Sequence, residues 1–144
     1  MPRLQIQPLA RYPFHLDLVV RVTDLNYGGH LGNDRLLALL HEARVAFLAV
    51  EGWSELDLAG VGLILGDAGI VYRAEAFAGD ELRIAVGVAE VGRAGFRLGY
   101  RVTRPADGTV IAVAETGMVC FDYGDRQVRA LPRGAARRLK ELAR

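Results

Sequence analysis

The sequence has too little cysteine for a disulfide framework: Cys120 stands alone among 144 residues, so no internal bridge can form. No Cys/His spacing of the zinc-holding kind occurs, so the expectation is no metal and no cofactor. No apolar run is long enough to span a bilayer, and the opening MPRLQIQPLARYPF lacks the apolar core of a secretory leader. These absences together lead to the expectation of a cytoplasmic protein with no membrane span. Repeats, low-complexity tracts and linkers are also missing. One domain is therefore expected over 1–144, with a core at about 14–123 and a short basic helix at 133–144. A chain this long buries about two-thirds of its unfolded surface, enough for a core without staples.

Net charge is nearly absent as well. The formal net charge is +1, so the field of the whole molecule says little about partners. The distribution says more: 17 of the 18 basic residues are Arg, and seven basic side chains fall between Arg126 and Arg144. No aromatic platform is interleaved with them, so nucleic acid is not an expected partner. A solvated helix is the leading reading of that run, with a landing site for phosphates as its alternative.

Local patterning gives an order of elements. Phe14 to Val22 alternates like a strand. The stretch from Asp24 to Asn33, DLNYGGHLGN, is rich in Gly and Asn and reads as a loop. Asn33 is the expected helix N-cap, with Asp34 favourably placed in the positive first turn. From Asp34 to about Val50, Leu36, Leu37, Leu40, Ala43, Phe47 and Leu48 recur at helical steps, and Gly52 ends the run. Trp53 to Gly60 reads as an irregular or short helical connector. Four strands follow: Gly62 to Ala74, Glu81 to Val91, Phe96 to Arg104 and Thr109 to Phe121. Short joints at Ala78-Gly79-Asp80, Gly92 to Gly95 and Asp107-Gly108 imply antiparallel meander pairing. A lone helix with so wide an apolar face has to be wrapped by the sheet, and the α+β class follows.

Three segments carry a resemblance. Arg21 to Asp34 (RVTDLNYGGHLGND), His41-Glu42-Ala43-Arg44 and Val71 to Leu82 (VYRAEAFAGDEL) stand in the order seen in hot-dog thioesterases of the 4-hydroxybenzoyl-CoA thioesterase type. The similarity runs from about Leu16 to Phe121. It implies a hot-dog fold of about five strands, a homodimer or tetramer whose sheets join edge to edge, and hydrolysis of an acyl-CoA or acyl-ACP thioester. Independently of the resemblance, amides at a helix start beside glycines form a natural site for a thioester carbonyl or oxyanion.

The resemblance breaks at one position. Where the 4-hydroxybenzoyl-CoA type places its catalytic aspartate, this chain has Asn26, and an amide cannot act as a carboxylate base. The loop is also similar to that of plant acyl-ACP thioesterases, whose Asp, Asn, His and Glu fall on Asn26, Gly28, His30 and Glu75; only His30 and Glu75 keep their type. The comparison implies His30 as base or water-orienting group and Glu75 as the assisting carboxylate. Asn26 and the amides near Gly29 would hold the carbonyl oxygen, and Asp67 is the reserve carboxylate. Tyr27, Gly28, Gly29, Asn33 and Asp34 are the expected substrate-binding residues. Phe47, Trp53 and Leu63 are expected to set pocket depth. Each has a plainer reading: a loop hydrogen bond for His30, a turn for Asn26, an exposed strand-end charge for Glu75, a bulge or buried acid for Asp67, and helix-surface pairing for Glu42 and Arg44.

Two other functions stay open: a non-catalytic acyl-thioester binder or sensor, favoured by the missing aspartate, and a hot-dog enoyl-thioester hydratase. The spacing of Asp24 and His30 does not reproduce the latter's Asp/His segment.

Overall fold

A computed structural model describes residues 2–143 of the chain. Arg144, the last residue of the expected C-terminal helix, lies outside the described residues, as does Met1. The described residues form six strands: β1 (Phe14–Val19), β2 (Gly62–Tyr72), β3 (Glu81–Val91), β4 (Gly95–Arg104), β5 (Thr109–Asp122) and β6 (Gln127–Val128). The two helices are α1 (Asn33–Val50) and α2 (Arg133–Ala143), and a single 3-10 turn spans Val22–Asp24. The sheet runs β1-β3-β4-β5-β2 with every pairing antiparallel, and β6 adds briefly to the end of β5. This is the α+β hot-dog architecture expected from the sequence, with β3-β4-β5 as the meander.

Most boundaries agree with the alternation and turn chemistry. The first strand stops at Val19 rather than Val22 because the chain there pairs with the turn before β3. Val20 N–H donates to Asp80 O at 2.9 Å, and Gly79 N–H donates to Val20 O at 2.8 Å. The N-cap of α1 is Gly32, in extended conformation, and Asn33 is the first helical residue. The Asn33 side chain accepts from the Asp34 N–H at 2.9 Å instead of from a residue deeper in the helix. At the other end Gly52 takes a φ of 77°, the left-handed exit that glycine adopts without strain. The two-residue β6 left no periodic signal.

Helix α1 buries Leu36, Leu39, Leu40, Ala43, Phe47 and Leu48. Leu37 belongs to the exposed side, and Leu39 takes the core position that the spacing had assigned to it. These side chains form one cluster with Leu82, Ile84, Val86 and Val88 of β3, Leu98 and Tyr100 of β4, and Ile111, Ala112 and Ala114 of β5. Ala135, Leu139 and Leu142 bring α2 into the same core, and each fully buried leucine contributes roughly 1.5–3 kcal/mol. The arginines of α2 behave as a solvated face: Arg138 pairs with Glu51 at the end of α1 and with Glu141.

Arg44 is not a helix-surface residue. It is buried, donating from Nε to Glu55 Oε1 at 3.0 Å and from Nη1 to the Tyr100 hydroxyl at 3.3 Å. Tyr100 in turn shares a 2.7 Å hydrogen bond with Thr116. Placing a guanidinium beneath the sheet requires this full set of partners, because an unpaired buried charge costs several kcal/mol. The network ties α1 to β4, β5 and the connector after α1. Among the described residues no helix is long and apolar enough to cross a membrane, and no His/Cys/Asp/Glu group is arranged to hold a metal ion.

Candidate active site

The loop between the 3-10 turn and α1 closes on itself. Asn26 N–H donates to His30 O at 2.9 Å, Gly29 N–H to Asn26 O at 3.1 Å, and Gly28 N–H to Asn26 Oδ1 at 2.9 Å. Gly29 sits at a φ of 80°, which explains glycine at that position. Two further bonds fix the loop on the sheet: Leu31 N–H to Ala76 O at 2.8 Å, and Gly32 N–H to Asp24 O at 3.0 Å.

Asp24 anchors the loop's other end. Its carboxylate, with no solvent exposure, accepts from Arg21 N–H (2.9 Å), from the Arg21 guanidinium (3.2 Å) and from Arg35 Nη2 (3.3 Å). Burial works to raise this carboxyl, but the hydrogen bonds from the Arg21 side chain and backbone, then from Arg35, outweigh it and hold it below the ordinary value.

These constraints deliver His30 to a cleft of about 400 Å³. The start of α1 (Gly32, Asn33, Leu36), the segment after β2 (Arg73 to Ala76), Tyr72, Leu31 and Ile111 make its walls. His30 Nδ1 lies 3.3 Å from Leu31 O. A carbonyl oxygen only accepts, so Nδ1 is the donor in this contact, and in the neutral ring the lone pair then lies on Nε2. Nε2 is 3.9 Å from Glu75 Oε1, too long for a direct hydrogen bond and short enough for one water to reach both. In the first turn of α1, Leu36 N–H donates to Gly32 O and Asp34 N–H to Asn33 Oδ1. Asn33 is a residue of the cleft wall; its N–H has no partner among the described residues, and the positive end of the helix dipole lies at this end of α1.

The expected site residues therefore divide. His30, Glu75 and Asn33 meet at the cleft. Gly28 stands behind the His30 ring, where an added Cβ would lie 3.2 Å from Nε2. The Asn26 carbonyl oxygen and the Gly28 and Gly29 amides are engaged within the loop. Tyr27 is fully exposed and does not line the cleft, and Asp34 stands exposed beside it. Asp67 is elsewhere: it follows a bulge between Leu65 and Asp67 and is gripped bidentately by Arg97 at 2.7 and 2.9 Å, with Glu115 on the same guanidinium. Arg97 holds the Asp67 carboxyl below its ordinary value, so it stays a spent anion. Phe47 and Leu63 are core, and Trp53 packs against the core; none lines the cleft, whose depth is set by Leu36, Ala76 and Ile111.

Tyr72 and Arg73 are site residues that sequence reasoning passed over. Tyr72 donates its hydroxyl to Asn33 O at 2.7 Å, clamping the end of β2 to the first turn of α1. Burial, then the negative charge of Asp34, push its phenol above the ordinary value. Both stood in the resembling segment Val71 to Leu82, three and two residues before Glu75, without a role read for either.

The sequence profile of the thioesterase-like superfamily matches residues 20–139. This chain belongs to that superfamily. Its thioesterase relatives include the 1,4-dihydroxy-2-naphthoyl-CoA hydrolase of Synechococcus elongatus, 32% identical over 129 residues that cover 86% of this chain and 91% of that protein. Among solved structures, the 1,4-dihydroxy-2-naphthoyl-CoA thioesterase Slr0204 from Synechocystis superposes with a TM-score of 0.80 at 23% identity, covering 91% of this chain and 98% of that one. The probable thioesterase YbaW from Escherichia coli superposes with a TM-score of 0.74 at 23% identity, covering 90% and 98%. Membership in the thioesterase-like superfamily supports a thioesterase function and agrees with a cleft built at a helix start.

Proposed function

We propose that this protein hydrolyses an aromatic acyl-CoA thioester to the free acid and coenzyme A. The observation that carries the reading is the His30 ring, its Nδ1 held on Leu31 O, at a cleft shared with Glu75 and Asn33. A water oxygen attacks the thioester carbonyl while its proton passes to His30 Nε2. The Asn33 N–H, at the positive helix end, stabilises the oxyanion. Collapse of the adduct breaks the carbon–sulfur bond, and the His30 proton goes to the departing thiolate. Glu75 steadies the transient imidazolium. Because Glu75 is largely exposed, water screens that contribution and keeps it modest. In this scheme the carboxylate missing at Asn26 is not required.

The aromatic acyl class comes from the named relatives and suits a wall of Leu31, Leu36, Ala76 and Ile111 with Tyr72 beside it. The same reading includes assembly through β2, an 11-residue strand at the sheet edge with one open hydrogen-bonding side. Thiol release from a panel of aromatic and aliphatic acyl-CoAs and acyl-ACPs tests the proposal. Fastest turnover with aromatic acyl-CoA supports it; tight binding without thiol release would make the protein a sensor instead.

A further inference from the structure

A second recess, of about 360 Å³, opens beside the His30 cleft between the N-terminal segment and the end of β2. Arg3, Leu4, Gln5, Ile6, Val71 and Arg73 line it, and Arg73 also lines the cleft, so the two spaces share that wall. The N-terminal segment is seated on β2 through Gly69: a Cβ there would lie 3.2 Å from Leu4 Cδ2 and 3.8 Å from Ile6 Cδ1. The main chain of Arg73 is fixed by its N–H bond to Ile111 O at 2.8 Å. Its side chain thus extends from a rigid base, while Arg3 sits on the seated segment.

The charge of this recess is not neutralised. Neither the Arg3 nor the Arg73 guanidinium forms an ion pair or hydrogen bond among the described residues. Arg83 and Arg97, on the same sheet, are each locked to carboxylates. No acid lines the recess, and Gln5 adds a neutral amide donor. Two arginines whose guanidinium groups have no partner among the described residues line one concavity, and guanidinium forks match the oxygens of a phosphate ester.

We infer that this recess binds the phosphate-bearing part of the thiol carrier while the acyl group occupies the neighbouring cleft. The inference deepens the hydrolase reading and rests on it for the direction of the substrate. With the carbonyl at His30 and the apolar wall taking the acyl group, the thiol arm leaves past Arg73. The chemistry is a phosphorylated pantetheine arm. It has two sources, the diphosphate of coenzyme A and the single phosphate of a carrier-protein prosthetic group.

Calorimetric titration with coenzyme A, phosphopantetheine and pantetheine tests it, using the full chain and its Arg3→Ala and Arg73→Ala variants. Arg3→Ala alters only the surface segment, and its melting curve provides the folding control. Coenzyme A should bind on the order of tenfold more tightly than pantetheine, and each substitution should remove most of that advantage. Phosphopantetheine keeping the full advantage would assign the contact to the phosphate common to both sources. An advantage confined to coenzyme A would assign it to the part that phosphopantetheine lacks, the second phosphate with its 3′-phosphoadenosine. Equal losses for coenzyme A and pantetheine, or no loss in either variant, overturns the inference. Arginine-dependent binding by a protein that releases no thiol would leave the recess standing and sink the hydrolase reading.

Discussion

The Tyr72 hydroxyl donates to the Asn33 carbonyl oxygen at 2.7 Å, so the strand that ends at the cleft and the helix that begins there are held by one bond. Replacing Tyr72 with Phe removes it. At this half-exposed position the expected cost is about 0.5–1 kcal/mol of stability. The expected effect on turnover is larger, several-fold in kcat/KM, because the Asn33 amide loses its fixed distance from the His30 ring. Thermal melting and steady-state kinetics on the same variant separate the two.

Gly28 offers a sharper probe of the loop. Its φ is not left-handed, so alanine is tolerated by the backbone, yet the new methyl would meet His30 Nε2 at 3.2 Å and Asn26 Oδ1 at 3.3 Å. The ring or the amide must shift by a few tenths of an ångström. Gly28→Ala should lower kcat several-fold with a melting temperature close to that of the parent. A wild-type rate would mean that the ring position is unimportant.

Asp24 governs the stability of the same loop. Its carboxyl is held below the ordinary value, so it contributes stability at pH values above the unfolded value of about 4. That contribution is lost as pH falls through the lower, folded value. Asp24→Asn should cost roughly 2–3 kcal/mol at neutral pH, since Arg21 and Arg35 lose their shared anion. The variant's acid unfolding curve should also be flatter than that of the parent. Chemical denaturation as a function of pH measures both.

Cys120 is buried and its thiol is pushed up to about 11 by desolvation. Raised in the folded state, it contributes stability below the unfolded value of about 8.5 that is lost progressively as pH rises toward 11. In the native protein it should resist thiol reagents at pH 8 and react fully in denaturant. Rapid native-state labelling would contradict the packing described for β5.

Much of this architecture could be read in the sequence because alternation and turn residues act locally. Glu81 to Val91 was bounded by Gly79-Asp80 on one side and Gly92 on the other, and that strand has those limits. Long-range partners left no such trace. Arg44 lies on a helix whose spacing suggested a surface pair, and its burial depends on Glu55 in the connector after α1 and on Tyr100, 56 residues away on β4. Asp67 stood out as a lone acid in an apolar strand, but its Arg97 partner lies across the sheet and withdraws it from the cleft. His30 and Glu75 were recognised by residue type in a resembling loop. Tyr72 and Arg73 belong to the same cleft through strand geometry that spacing does not encode.

The most direct test of the account is thiol release from a saturating aromatic acyl-CoA by the wild type and by His30→Ala, with coenzyme A titrated against both. The account predicts a loss in kcat of about a hundredfold or more, with coenzyme A affinity changed less than threefold, as expected when a general base is removed. Hydrolysis by His30→Ala at the parent rate would contradict it.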